Sequence, residues 1–450
     1  MTEKIVLLSA DFSKQEGSIR PLHGVNRGPL CNLGTTDLSN FYRTLRIPSV
    51  RLHDCPYAMP GTVDIACIFP VFEADADDAA NYRFTQTDDF IQAIKDVGAD
   101  VVYRLGPSIE HMKSKSHILP PPDATKWARI CVNIIRHYNE GWANGFHHNI
   151  KYWEIWNEPD IAKCWAGTED EFTHLFLTAG PIIKAHDASL KVGGPALAMG
   201  GKRRPFLLKL LAACRDNWRP DFFSWHGYII TPHELCERAK VMRELLDEHG
   251  MKETESHCNE WNFIPRRDWV SAHGNDGVKR SQLFQEIVGP SGAALVAATL
   301  IFLQDSSVDV ANFYGGDSGR WGLFDPDSAT NKTYFAMLAF SRLLETPKRC
   351  ETTGNNFETG VAVCAGLSED DRKAAILVSN FGDSNEVWDL ALRRLPWQAP
   401  SRIEKRVVNS SNDLTLVKTE FLQSQTCVLR VTIPSSTVCL FTVAPDDDRT

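Results

Sequence analysis

The sequence has little of what marks several function classes. Positive charge is not in excess: 48 Lys and Arg stand against 57 Asp and Glu, a formal net charge of −9. The basic footprint that neutralises nucleic-acid phosphates is therefore missing, and nucleic acid is not an expected partner. Long apolar runs are absent too. The best candidate, Ile287 to Gln304, is interrupted by Gly289, Pro290, Ser291 and Gly292 and reads as a buried helix, so no membrane partner is expected. The 12 cysteines include no C-x-x-C pair; scattered from Cys31 to Cys439, they read as reduced thiols used as small apolar residues. No H-E-x-x-H or comparable cluster occurs, His233-Glu234 lacking its second histidine, so neither a metal nor an organic cofactor is expected. The apolar stretch Ile5 to Ser9 is too short for a signal peptide, which gives a cytoplasmic expectation.

What is present is a rhythm. Short β-branched or aromatic runs alternate with segments of helical period, the pattern of βα units around a parallel sheet. Eight strands are expected, at Leu22 to Asn26, Ser49 to His53, Asp100 to Leu105, Lys151 to Asn157, Leu190 to Pro195, Asp221 to Tyr228, Thr254 to Glu260 and Val308 to Tyr314. Intervening helices such as Ala124 to Tyr138 and Pro232 to Glu248 complete a (β/α)8 TIM barrel of the α/β class. After Thr346-Pro347 the pattern changes to short alternating strands broken by turns, which reads as an antiparallel β-sandwich. The expected organisation is residues 1–19 as an N-terminal strand pairing with the sandwich, 20–348 as the barrel and 349–450 as the sandwich.

In such a barrel, reactive groups belong at the C-terminal ends of strands. Two carboxylates stand out there. Tyr152-Trp-Glu-Ile-Trp-Asn-Glu-Pro159 brings Glu158 to a lip closed by a proline, and alternation places it with Glu154 and Trp156 on one face, opposite Trp153, Ile155 and Asn157. Ser256-His-Cys-Asn-Glu-Trp261 ends the seventh strand on Glu260. A pair of carboxylates is what glycosidic cleavage needs, one protonated to assist the leaving oxygen and one ionised to attack or to activate water. Adjacent aromatic rings suit the apolar face of a pyranose.

Trp153-Glu-Ile-Trp-Asn-Glu-Pro-Asp160 with Asn259-Glu260-Trp261 resembles the retaining glycoside hydrolases whose catalytic glutamates lie on strands 4 and 7. Within that clan the chain is most similar to family 39, which includes β-xylosidases and α-L-iduronidases. Gly24-Val-Asn-Arg-Gly-Pro29, Val50-Arg-Leu-His-Asp54, Gly193-Gly-Pro195 and Ser224-Trp-His-Gly-Tyr228 support the narrower likeness. The resemblance implies Glu158 as acid/base, Glu260 as nucleophile and Asn157 bonding the sugar 2-hydroxyl. It also implies an oligosaccharide or glycoside substrate cleaved with retention; the cytoplasmic expectation in turn suits exo action on small imported oligosaccharides or glycosides.

Around that pair, His226 and Tyr228 point inward together, with Tyr228 expected to bond Glu260. His53, sharing a face with Arg51 and next to Asp54, is either a grip for sugar hydroxyls or a satisfied core histidine. Trp321 and Phe324 are candidate stacking walls, Asp317 a candidate polar contact, and Trp165 and Trp261 either site lining or packing. Another sugar specificity within the family, a carbohydrate-binding barrel without catalysis, and a homo-oligomer stay open.

Overall fold

Eight parallel strands close into a barrel in this computed structural model, which describes residues 6–59, 61–198, 204–398 and 400–446. They are β1 (Gly24–Asn26), β2 (Ser49–Arg51), β3 (Asp100–Leu105), β4 (Tyr152–Ile155), β5 (Lys191–Leu197), β6 (Phe222–Ile229), β7 (Glu255–Phe263) and β8 (Val310–Phe313). Each pairs with its neighbour in sequence, and β8 returns to β1 through Asn312 opposite Gly24 and Phe313 opposite Val25.

The helices outside follow from periodicity and caps. Ala124–Glu140 buries Trp127, Cys131, Ile134, Ile135 and Tyr138 along one stripe. The Asp123 carboxylate caps its first turn by accepting from the N–H groups of Thr125 and Lys126, and Gly141 closes it in the left-handed region at φ 75°. Glu169–His186 starts on a reciprocal capping box between Thr168 and Glu171.

The second domain is a nine-stranded, mostly antiparallel sheet. It contains the N-terminal strand Val6–Ser18 with β9 (Lys348–Thr353), β10 (Val361–Leu367), β11 (Ala374–Asn380), β12 (Val387–Arg393), β13 (Ser401–Val408), β14 (Asp413–Leu422), β15 (Cys427–Thr432) and β16 (Thr437–Pro445). Their order is β14-β13-β16-β11-β10-β9, the N-terminal strand, then β12-β15. The N-terminal strand runs antiparallel to β9 and parallel to β12, tying the start of the chain to its last hundred residues; Lys4 and Ile5 lie outside the described residues. Residues from every strand meet in one apolar core, including Phe12, Trp388, Ile376, Ile403, Leu422, Val431 and Phe441, so the sheet folds over itself as a sandwich. The sequence pattern does not announce β14, most of whose residues are exposed and which carries no buried alternation.

Barrel and sheet share an apolar junction. Ala362, Cys364, Ala375, Leu377, Val438 and Leu440, on the opposite faces of β10, β11 and β16, belong to the barrel's core. Against them lies helix Pro290–Phe302, buried from Gly292 to Phe302. The uncharged run is thus a buried core helix, broken at Gly289-Pro290 from helix Gly277–Val288; among the described residues no single helix is long and apolar enough to cross a membrane.

Candidate active site

Two departures from regular strand geometry deliver the site. Alternation places Asn157 and Glu158 on opposite faces, but β4 stops pairing at Ile155, and Trp156 and Glu158 take φ values of +74° and +44°. Trp156 swings outward: its indole N–H donates to the Cys164 carbonyl at 2.8 Å and its ring meets Trp165 edge-on at 5.0 Å. Asn157 and Glu158 both reach the barrel mouth. Such left-handed non-glycine residues cost of order 1–3 kcal/mol each and persist where surrounding structure holds them.

On the other side, Glu260 is not the last residue of its strand as expected, since β7 runs on to Phe263. A bulge aims it instead. Cys258 pairs with Trp225 and Glu260 with His226, so Asn259 is an extra residue, and consecutive side chains both turn inward. Asn259 donates through Nδ2 to the Glu154 carboxylate, while Glu260 faces Glu158.

One oxygen of Glu158 and one of Glu260 lie within 4.8 Å of each other and of a His226 ring nitrogen. Their partners differ. Glu260 accepts from the Tyr228 hydroxyl at 2.6 Å and from Arg51 Nη1 at 3.3 Å. Among the described residues the Glu158 carboxyl has only the His226 Nδ1 at 2.9 Å and the weak Cys164 thiol at 3.6 Å. Burial pushes the Glu158 carboxyl up to about 7, the Arg51 charge pulling back only in part. Burial also raises Glu260, with the nearby Glu158 charge adding to it, but the Arg51 charge and the Tyr228 hydroxyl oppose the rise, as does His226 once it is protonated. A charged guanidinium and a short phenolic bond favour the ionised form far more than a neutral ring and a thiol do. Glu158 therefore holds the proton and Glu260 the charge.

Arg51, wholly buried, organises the floor. Its Nε donates to Glu154 at 2.7 Å, Nη1 to Asn26 at 3.1 Å and to Glu260, and Nη2 to the Asn157 Oδ1 at 2.7 Å. Because guanidinium only donates, that last contact fixes the Asn157 amide with its Nδ2 as donor, one N–H reaching the Cys164 sulfur at 3.9 Å and the other left for a ligand. Glu154 is satisfied further by the Ser224 hydroxyl at 2.6 Å.

His226 is kept neutral, burial lowering its pKa despite the Glu260 charge. It turns Nδ1 toward Glu158 and Nε2 toward Glu260, the latter at 3.7 Å. Glu158, His226 and Glu260 are also close enough together to raise the question of a metal ion. With opposite ring nitrogens aimed at the two carboxylates, the imidazole bridges them rather than sharing one ion with both.

The other expected residues separate into two groups. His53, Asp317 and Trp321 lie around the mouth: His53 Nε2 is 3.5 Å from Asp54, Asp317 pairs with Arg27 at 3.4 Å, and the Trp321 ring stands 5.9 Å from that of Tyr228. Phe324 is instead fully buried between Phe41 and Tyr334, because the loop after β8 folds back onto the barrel core, so the expected stacking wall is not formed there. Trp165 and Trp261 are both buried packing residues. The sequence pattern assigns no role to Arg27 or Cys164, and none to Trp269, whose partly exposed ring meets Tyr228 at 4.9 Å. Arg27 and Arg51 lie inside the strand 1 and strand 2 motifs, which is the available signal; Trp269 sits in an insertion after β7 that carries none.

The model of glycosyl hydrolases family 39 matches residues 30–289, more than half of the chain. The chain is 25% identical over 170 residues to a β-xylosidase of Geobacillus stearothermophilus, covering 33% of each protein. It is 28% identical over 213 residues to a β-xylosidase of Caldicellulosiruptor saccharolyticus, covering 42% of each, so these matches span well under half of either relative. A solved structure of a glucosidase from Croceicoccus marinus superposes with a TM-score of 0.83 at 24% identity, over 98% of this chain and 99% of that one, and shares its fold. The chain belongs to glycosyl hydrolases family 39.

Proposed function

We propose that the protein is a retaining glycoside hydrolase acting on the terminal sugar of short oligosaccharides or glycosides, with β-xylosides as the first substrate to test. The observation that carries the reading is the separation of Glu158 and Glu260, one oxygen of each within 4.8 Å. Carboxyl groups about 5–5.5 Å apart suit attack by one of them; inverting enzymes keep about 6.5–9.5 Å to admit a water.

In this mechanism Glu260, ionised and oriented by Tyr228 and Arg51, attacks the anomeric carbon while Glu158 gives its proton to the leaving oxygen. Formation of the covalent glycosyl-enzyme removes the Glu260 charge, so Glu158 becomes more acidic, and as a carboxylate it then takes a proton from the water that releases the sugar. Asn157, fixed by Arg51, donates to the 2-hydroxyl as positive charge develops on the ring.

Two relatives are β-xylosidases and favour a xylose-type sugar, whereas the glucosidase of similar fold favours a glucose-type sugar. A panel of aryl xylosides, glucosides, galactosides, arabinosides and uronides tests both. Glu260→Ala should lower turnover by roughly four orders of magnitude or more, and azide should restore release of the aryl group as a glycosyl azide of inverted configuration. Sugar binding without hydrolysis of any panel member would favour a carbohydrate-binding barrel instead. Homo-oligomerisation is tested separately by light scattering.

A further inference from the structure

Opposite the carboxylate pair the mouth carries a second polar group. Arg27, just past β1, and Asp54, just past β2, both adopt left-handed backbone, at φ 69° and 49°. Such conformations in non-glycine residues concentrate where side chains must be held for a task. The Arg27 guanidinium lies over the Tyr314 ring, 4.1 Å from its centroid, and spans two carboxylates, Asp54 at 3.5 Å and Asp317 at 3.4 Å. Asp54 anchors one oxygen on the Ile109 N–H at 2.9 Å. Its other oxygen faces three donors, the Tyr314 hydroxyl at 3.3 Å and Arg27 and His53 at 3.5 Å each.

Every contact to that oxygen is longer than the 2.7–3.2 Å of a well-formed bond. Buried Arg27 Nε and His53 Nδ1 have no hydrogen-bond partner at all among the described residues. Donors and an acceptor are thus held together with bonding capacity unspent. They remain reachable: the Arg27 and Asp54 side chains are 17% and 19% exposed, whereas those of Arg51 and His53 are at most 1%. The group also lies within electrostatic reach of the carboxylate pair, Asp54 adding to the field that raises Glu158 and Arg27 feeling the charge of Glu260.

We infer that Arg27 and Asp54 form the wall that selects the terminal sugar, Asp54 accepting from one and Arg27 donating to the other of its vicinal hydroxyls at C3 and C4. The inference rests on the glycosidase reading: with the anomeric carbon between Glu158 and Glu260 and the 2-hydroxyl on Asn157, the next hydroxyls face away from the leaving group. Arg27 stands against two carboxylates here, Asp54 and Asp317, while the nearby Arg51 and Arg104 are taken up by Glu154 and Asp64 and His53 is kept neutral by burial and by the three arginine charges. That balance suits hydroxyls and disfavours a further negative charge. The substrate class is a neutral sugar with a free 3,4-diol, and uronides are rejected.

The test uses the best neutral aryl glycoside from the panel, its 3-deoxy and 4-deoxy analogues and the corresponding uronide. On the unmodified enzyme, at least one deoxy analogue should lose roughly 10- to 100-fold in kcat/KM, the size expected for a hydrogen bond to a charged group, and the uronide should lose more. Asp54→Asn keeps the Ile109 contact and should lose a similar factor on the parent glycoside, yet little more on the deoxy analogue, because the same bond is already gone. Arg27→Lys should behave likewise. Deoxy analogues as good as the parent, losses that multiply between variant and analogue, or a uronide within tenfold of the parent would each overturn the inference while leaving the glycosidase reading standing. Hydrolysis of no glycoside would overturn both.

Discussion

The barrel mouth and the barrel–sheet junction solve opposite problems. At the junction, Gly292 to Phe302 are buried side by side with the apolar faces of β10, β11 and β16. At the mouth Arg51, Glu154, His226, Glu158 and Glu260 are equally buried but ionisable, on a backbone with two left-handed residues at β4 and a bulge in β7. Apolar burial at the junction contributes stability at about 25 cal/mol per Å², whereas burying charges at the mouth costs several kcal/mol per ion unless every group is paired. The difference teaches where the protein places its strain: chemistry is concentrated at one end of the barrel and supported by packing elsewhere.

Breaking the mouth should have the largest effect. Arg51→Met leaves Glu154 and Glu260 buried without their cation, and we expect a loss of about 3–5 kcal/mol in chemical denaturation together with loss of activity in the protein that still folds. Leu300→Ala breaks the junction instead. A loss of about 2–5 kcal/mol is expected from the cavity, with kcat of the folded enzyme unchanged; an altered kcat would show that the two regions are coupled.

Glu158→Gln sharpens the contrast, because it should stabilise while it inactivates. The folded-state pKa of about 7 lies above the ordinary 4.5, so the native state binds the proton more tightly and stability falls as pH rises from about 4.5 through 7. Above pH 7 the ionised carboxylate costs about 3 kcal/mol, at 1.36 kcal/mol per pKa unit. The glutamine variant lacks that term, so its Tm should exceed that of the parent at pH 8 and approach it at pH 5. The same protonation gives kcat/KM an alkaline limb near 7. The smallest effect is at Cys164→Ser: a hydroxyl bonds a carboxylate more strongly than a thiol, so the limb should move to lower pH by a fraction of a unit. An unmoved limb would remove Cys164 from the tuning of Glu158.

Much of this is legible in the chain because strands and capped helices announce themselves locally. All eight barrel strands and the uncharged core helix follow from periodicity and from Gly and Pro punctuation, and both glutamates stand out by their place at the ends of apolar runs. The facing of Asn157 is not legible, because alternation assumes a strand continuing past Ile155, and nothing local announces that Trp156 turns left-handed. The end of β7 is hidden for a related reason: a bulge at Asn259 is a property of the pairing with β6, not of β7 alone. Phe324 looks like a site residue by its distance from β8, yet the return path of its loop is set by packing on Phe41 and Tyr334. Arg51 and Arg27 are visible, but their roles depend also on partners more than a hundred residues away, Glu154 and Glu260 for the one and Asp317 for the other.

The most direct test of the central claim, that Glu260 attacks while Glu158 supplies and then withdraws the proton, is the configuration of the first sugar released from an aryl β-glycoside, followed by proton NMR before mutarotation. The β-anomer should appear first and the α-anomer only later. Initial release of the α-anomer would mean that water attacks directly, and the assignment of Glu260 as nucleophile would fail.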